Sequence, residues 1–144
     1  MILLDTNVVS EAIRPKQSDV VAAWMNSTPA TSLFLCAPVL AELRYGVERL
    51  AEGARRRFLQ MAIDRIRDDG FRDRILPFDI QAAEEYGRLV AAGERLGRPI
   101  DTIDAQIAAI AVANRLTLAT RNISHFDHLG LELINPFEPE TSPR

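Results

Sequence analysis

Ile2, Leu3 and Leu4 follow one another with no polar residue between them. Strand side chains point alternately to opposite faces. A strand that is apolar at every position therefore belongs in a sheet covered on both sides, as parallel sheets are. The run stops at Asp5-Thr6-Asn7, and an amphipathic stretch from Val8 to Arg14 follows directly. The pattern is strand, polar turn, helix. Open parallel sheets hold ligands outside the carboxyl ends of their strands, so Asp5 stands where such folds place chemistry. A buried carboxylate there needs hydrogen bonds, which Thr6, Asn7 or the next helix's N–H groups can donate. Asp5 reads equally well as a helix cap, and this stretch leaves both readings open.

The same alternation continues along the chain. Pro15 ends the first helix, and Asp19 to Asn26 forms a short amphipathic one. Ser32 to Cys36 reads as a second buried strand. Pro38 suits the first turn of a helix reaching about Leu50. An arginine-rich helix spans Gly53 to Asp69 and stops at Gly70, and Ile75 to Phe78 is a short strand. Asp79 caps a helix from Ile80 to Leu96, which Gly97 and Pro99 terminate. Asp101 or Thr102 opens another helix that runs to Asn114. Leu116–Thr120 and Leu131–Ile134 are the last strands, with a loose tail from Pro136. Strands alternating with helices predict an α/β fold on a mainly parallel sheet of five strands. Residues 1–137 form one domain in this reading and 138–144 a tail. If the first strand is central, the sheet reverses direction beside it, and Thr120-Arg121-Asn122 should face Asp5 across the crevice.

Composition narrows the class. The chain has 144 residues, enough for a proper core, and a net charge of −3 that does not advertise nucleic-acid binding. No apolar run approaches the ~20 residues that span a bilayer, and with a strand at the opening no cleavable leader is expected. The single cysteine, Cys36, excludes an intrachain disulfide, so the expected compartment is the cytoplasm.

Two further carboxylates occupy unusual positions. The helix from Pro38 has an apolar stripe of Val39, Leu40, Leu43, Val47 and Leu50, with Glu42 at its edge one turn before Gly46. A glycine there would admit another backbone or a ligand near Glu42, although a Glu at a helix boundary is more often solvated. The stretch Ile103 to Ala113 is apolar almost all round, and Asp104 falls in its apolar arc, in the first turn where a helix favours negative charge. The plain alternative is a capping pattern with Asp101 at the cap. Asp5, Glu42 and Asp104, converging, would repel one another unless a cation offset their charge. With no Cys/His cluster, the fitting cation is hard, Mg²⁺ or Mn²⁺, and the fitting reaction is metal-assisted hydrolysis at phosphate.

Four blocks at this spacing carry a resemblance: Leu-Leu-Asp5-Thr-Asn, Ala41-Glu42-Leu-Arg44-Tyr-Gly46, Ile-Asp104-Ala-Gln-Ile-Ala-Ala, and Leu118-Ala-Thr120-Arg-Asn122. Together they resemble PIN-domain ribonucleases, and within those the VapC toxins of toxin–antitoxin pairs, FitB-like branch, from Ile2 to about Phe137. The resemblance implies a three-layer α/β/α domain and Mg²⁺- or Mn²⁺-dependent RNA cleavage. It implies inhibition by a small cognate antitoxin, often with a DNA-binding domain, and assembly as a homodimer or a dimer of toxin–antitoxin heterodimers. Asp5, Glu42 and Asp104 carry over as the acidic site, with Thr6, Asn7, Thr120 and Asn122 as its support. One departure stands out. Where many members have a fourth acid, this chain has His125, with Asp127 two residues later.

Two other readings compete with it. A haloacid dehalogenase-type phosphatase also ends its first strand in Asp but wants a second Asp two residues on and a distant Lys. Here those are Asn7 and the only lysine, Lys16. A PIN-fold binding module with weakened catalysis is the other alternative. Arg44, one turn from Glu42, is the first expectation for a phosphate contact, ahead of Arg55-Arg56-Arg57. The surplus of Val8, Val9, Ile13, Val20, Val21 and Trp24 suggests a groove for an antitoxin helix, if these are not simply core.

Overall fold

The computed structural model describes residues 1–139. One five-stranded sheet runs in the order β3-β2-β1-β4-β5 with every neighbouring pair parallel. Its strands are β1 (Ile2–Leu4), β2 (Leu33–Cys36), β3 (Ile75–Leu76), β4 (Thr117–Ala119) and β5 (Leu133–Ile134). The helices between them are α1 (Thr6–Ala12), α2 (Asp19–Ser27), α3 (Ala37–Glu48), α4 (Ala54–Arg65), α5 (Ile80–Arg95), α6 (Thr102–Ala113) and α7 (Ile123–Phe126).

β1 is the central strand. Leu3 and Leu4, which face opposite sides of the sheet, are 0% and 1% exposed, so helices cover both faces. Leu3 pairs with Phe34 of β2 on one side and Leu118 of β4 on the other. From β1 the chain steps outward to β2 and β3, then returns across the sheet to β4. The reversal lies between β1 and β4, and their carboxyl ends bound the crevice expected of such a sheet. The all-apolar α6 supplies the densest core, with Ala105 and Ile107 to Ala111 fully buried. A helix with no polar face can only sit beneath other elements, and α5 covers it.

Several boundaries differ from the sequence reading for local reasons. α1 starts at Thr6 rather than Val8, because the Asp5 carboxylate accepts the Thr6 N–H and starts the first turn early. The arginine-rich helix was expected to run unbroken to Asp69. Its regular α-helix ends at Arg65, and Ile66–Gly70 widens into a π-type turn closed by the Phe71 N–H on the Ile66 carbonyl at 2.9 Å. Two short pieces escaped the reading, a 3₁₀ turn at Ala30–Ser32 and α7, both too short to show periodicity. The segment from Pro136 is not wholly loose. Phe137 packs against the core, and Glu138 and Pro139 line a crevice with Trp24, while residues 140–144 of the expected tail lie outside the described residues. Among the described residues, no helix is long and apolar enough to cross a membrane.

Candidate active site

Asp5 ends β1 with its backbone N–H on the Ala119 carbonyl at 2.9 Å and its side chain only 3% exposed. Its Oδ1 accepts the Thr6 N–H at 2.8 Å, and its Oδ2 accepts the Thr120 hydroxyl at 2.7 Å and Asn7 Nδ2 at 3.4 Å. The cap reading and the site reading are therefore the same geometry: one oxygen caps α1 and the other is held from across the crevice. Burial pushes the Asp5 carboxyl above the usual carboxylate range, and the charge of Asp104 adds to that. The bonds from Thr120 and Thr6 and the charge of His125 oppose the rise.

Thr6 links two carboxylates. Its N–H serves Asp5, and its hydroxyl donates to Glu42 Oε1 at 2.6 Å. Glu42 is thereby drawn from α3 toward the end of β1, half-buried rather than free in solvent. Gly46 does not permit a close backbone approach. A Cβ there would meet open space, in a groove it shares with Glu42.

Asp104 is not a partner in the α6 cap. Asp101 caps that helix, accepting the Ile103 N–H at 3.2 Å, and Asp104 Oδ2 instead lies 3.0 Å from His125 Nδ1. Burial raises the Asp104 carboxyl, the His125 bond and charge oppose this, and Asp101 and Glu42 add repulsion. His125 sits on α7, half-exposed, and it faces Asp104. Below the acids lies Cys36, whose thiol is pushed up to about 12 by burial and further by the charges of Asp5 and Glu42.

The remaining support residues divide. The Thr120 hydroxyl accepts the Asn122 N–H at 3.0 Å, and Asn7 Oδ1 accepts the Arg121 N–H at 3.1 Å, so the two strand ends are laced together. The Asn122 side chain makes no hydrogen bond among the described residues. Sequence reasoning misses Arg121 as a site residue, although its place at the end of β4 is a signal for it.

Some expectations are not met. Arg44 stands about 200° around α3 from Glu42, not on its side, and its guanidinium is ion-paired with Asp64 of α4. Asp127 is held by Arg98 at 2.7 Å, with His128 at 3.6 Å, so it does not substitute for a fourth acid beside Asp104. Arg56 is tied to Glu48, whereas Arg55 lines the groove beside Glu42. Val8, Val9 and Val21 are core residues, and Ile13 and Trp24 pack partly buried against them. The apolar groove lies instead between α1, α3 and α4. Its volume is about 690 Å³, and Ile13, Leu43, Val47, Phe58 and Leu59 line it beside Thr6 and Glu42. On the other side of the acids, Arg98, Asp101, Asp104, Ser124 and His125 line a second cavity of about 380 Å³.

The donor set suits a hard cation in kind: three carboxylates, two of them made harder to ionise by burial and mutual repulsion. Among the described residues, no group of three or more His, Cys, Asp or Glu side chains is placed to hold a metal ion between them. Mg²⁺ takes only one or two carboxylates and keeps several waters, so Asp5 and Asp104 are enough donors in kind for such an ion.

Comparison with known proteins identifies the fold and family. The PIN domain family model matches residues 2–130. The VapC ribonuclease Y4jK of Sinorhizobium fredii is 39% identical over 96% of this chain and 99% of its own. Toxin FitB of Neisseria gonorrhoeae is 37% identical over 95% and 99% respectively. Among solved structures, FitAB bound to a DNA fragment superposes with a TM-score of 0.91 at 35% identity, covering 98% of this chain and 99% of that one. None of these relatives is a haloacid dehalogenase. With the sheet order and these full-length likenesses in agreement, the chain belongs to the PIN-domain family and, within it, to the VapC toxins that include FitB.

Proposed function

We propose that this chain is a metal-dependent endoribonuclease toxin acting in the cytoplasm, with Asp5, Glu42 and Asp104 as its acidic centre. One observation carries the reading. A nearly inaccessible Asp5 is held by Thr6 and Thr120 at the sheet's reversal point, within the electrostatic reach of Asp104, itself within that of Glu42. Mg²⁺ or Mn²⁺ bound there would supply an activated water and stabilise the charge of an in-line displacement at phosphorus. Asp5 and Asp104 would hold it. Thr6 keeps Glu42 turned toward them, Thr120 and Asn7 fix the rotamer of Asp5, and His125 fixes one oxygen of Asp104.

The partner would be a small antitoxin with a DNA-binding domain, its apolar helix in the groove between α1, α3 and α4, where it would also cover Thr6 and Glu42. The FitAB relative is a complex on DNA, which supports an assembly of toxin–antitoxin heterodimers. His125 in place of an acid favours a second reading, a PIN-fold binding module with weakened catalysis.

The test is expression without an antitoxin, followed by sequencing of RNA 5′ ends, and cleavage by purified protein with a metal-free control. Growth arrest and new 5′ ends that vanish in Asp5→Asn and Asp104→Asn proteins support the enzyme. Folded wild-type protein that binds RNA without cutting it at any Mg²⁺ or Mn²⁺ concentration supports the binding module instead.

A further inference from the structure

We propose that Arg121 is a phosphate anchor for the RNA strand, held at the mouth of the crevice by the Phe137 ring and by Asn7. This rests on the ribonuclease reading and adds to it the residue that places the substrate.

Three contacts define the position. The Arg121 N–H donates to Asn7 Oδ1 at 3.1 Å, while the other end of the same amide donates to Asp5 Oδ2 at 3.4 Å. One asparagine thus fixes the backbone of Arg121 relative to the buried carboxylate. Thr120, the preceding residue, donates its hydroxyl to that carboxylate at 2.7 Å. The guanidinium carbon lies 4.9 Å above the Phe137 ring. Phe137 is itself held, packed against the core with its N–H on Asn135 Oδ1 at 3.0 Å.

Stacking orients a guanidinium while leaving its in-plane N–H groups unused, which is the presentation a phosphate needs. Several other arginines are already committed. Arg14, Arg44, Arg56 and Arg98 are ion-paired, and Arg74, which also lies over an aromatic ring, donates to the Leu33 and Gly70 carbonyls. Arg55, in the groove beside Glu42, and Arg49, over the Tyr45 ring, make no ion pair among the described residues. They lie on α4 and at the end of α3, away from the β4 end. Arg121 is exposed and makes no ion pair among the described residues. Its field reaches Glu11, but that carboxylate is occupied by the Ser18 N–H at 2.8 Å and by Arg14. A chain of net charge −3 with clustered acids at its site repels RNA overall, so a strand must be drawn in by a local cation beside those acids. The backbone of Arg121, tied to Asn7 and following Thr120, puts such a cation at the end of β4 next to Asp5.

The experiment measures binding of a fluorescein-labelled single-stranded RNA by anisotropy across a salt series. It uses the non-cutting Asp5→Asn protein as parent and adds Arg121→Ala, Arg121→Lys or Phe137→Leu. Cleavage is measured separately in the otherwise wild-type chain. Arg121→Ala should weaken binding about tenfold, the worth of one charge-assisted hydrogen bond, and lower the salt slope by about 0.7. Arg121→Lys should keep the slope but bind about threefold more weakly, because a point charge lacks the fork. Phe137→Leu should also keep the slope while losing affinity. An Arg121→Ala protein matching its parent in affinity and slope overturns the anchor alone, provided the wild-type chain cleaves RNA. A wild-type chain that neither binds nor cleaves RNA overturns the anchor together with the ribonuclease reading.

Discussion

The Thr120 hydroxyl donates to Asp5 Oδ2 at 2.7 Å across 115 positions of sequence, joining the ends of β4 and β1 through a bond buried from solvent. The Thr120 hydroxyl oxygen in turn accepts the Asn122 N–H at 3.0 Å, so a single hydroxyl sets both the carboxylate and the loop beyond it. Thr120→Val keeps the shape and removes both bonds. It should cost about 1–3 kcal/mol and lower cleavage about 10- to 100-fold, measured by denaturant unfolding and initial rates. Thr120→Ser, retaining the hydroxyl, should recover most of both. Equal losses in the two variants would show that the methyl group matters and the bond does not.

Asp5→Asn tests what the buried charge costs the fold. Burial and Asp104 both disfavour the ionised form, so without metal the wild-type carboxylate strains the structure. An amide keeps an acceptor for the Thr6 N–H without the charge. Metal-free Asp5→Asn should therefore melt about 3–6 °C higher than wild type while losing cleavage. A lower melting temperature in chelator would mean that the hydrogen bonds to the carboxylate outweigh its burial.

His125 holds one oxygen of Asp104 at 3.0 Å. His125→Ala should weaken apparent metal affinity about tenfold, far less than the loss on Asp104→Asn. His125→Asp would offer a further hard oxygen and should raise activity with Mg²⁺ relative to Mn²⁺. Titrations of rate against each metal for the three proteins decide it. An unchanged Mn²⁺/Mg²⁺ preference throughout would place His125 outside the metal's surroundings.

Cys36 gives a readout independent of catalysis. It is 0% exposed, with a thiol pushed up to about 12, so a thiol reagent at neutral pH should label the chain only when it opens. Metal that binds the native state lowers the open population, so Mn²⁺ should slow labelling, by about tenfold at ten times its dissociation constant. The effect should vanish in the Asp5→Asn, Asp104→Asn double variant. Labelling as fast in native as in denatured protein would contradict the burial.

Gly93 of α5 checks the packing beside the second cavity. A Cβ there would fall 2.8 Å from the Arg98 carbonyl, a backbone atom with little freedom to retreat. Gly93→Ala should destabilise by about 1–3 kcal/mol despite the better helix propensity of alanine, and Gly87→Ala on the same helix, facing open space, should not.

Much of this protein is legible in the sequence because its signals are local. The apolar run Ile2–Leu4 required cover on both faces, α6 could only be interior, and Asp79 and Asp101 announced helix starts that their side chains do cap. The alternation of strands and helices, with one assumption about β1, was enough to point Thr120 at Asp5. Short elements with no period, such as α7, and the widened turn after Arg65 could not be read in this way.

Tertiary structure decided which side chains meet. Arg44 and Glu42 are neighbours in sequence yet project about 200° apart, so Arg44 pairs with Asp64 while Glu42 reaches Thr6. His125 and Asp127 are equally plausible on paper; the turn of α7 sends one to Asp104 and the other to Arg98. The apolar residues of α1 and α2 went mostly into the core, and the open groove formed where α4 leaves α3 and α1 partly uncovered. Sequence patterns specify the face and period of each element, because those depend on backbone geometry within a few residues. Partners across the crevice depend on how distant elements stack, and only the packed chain determines that.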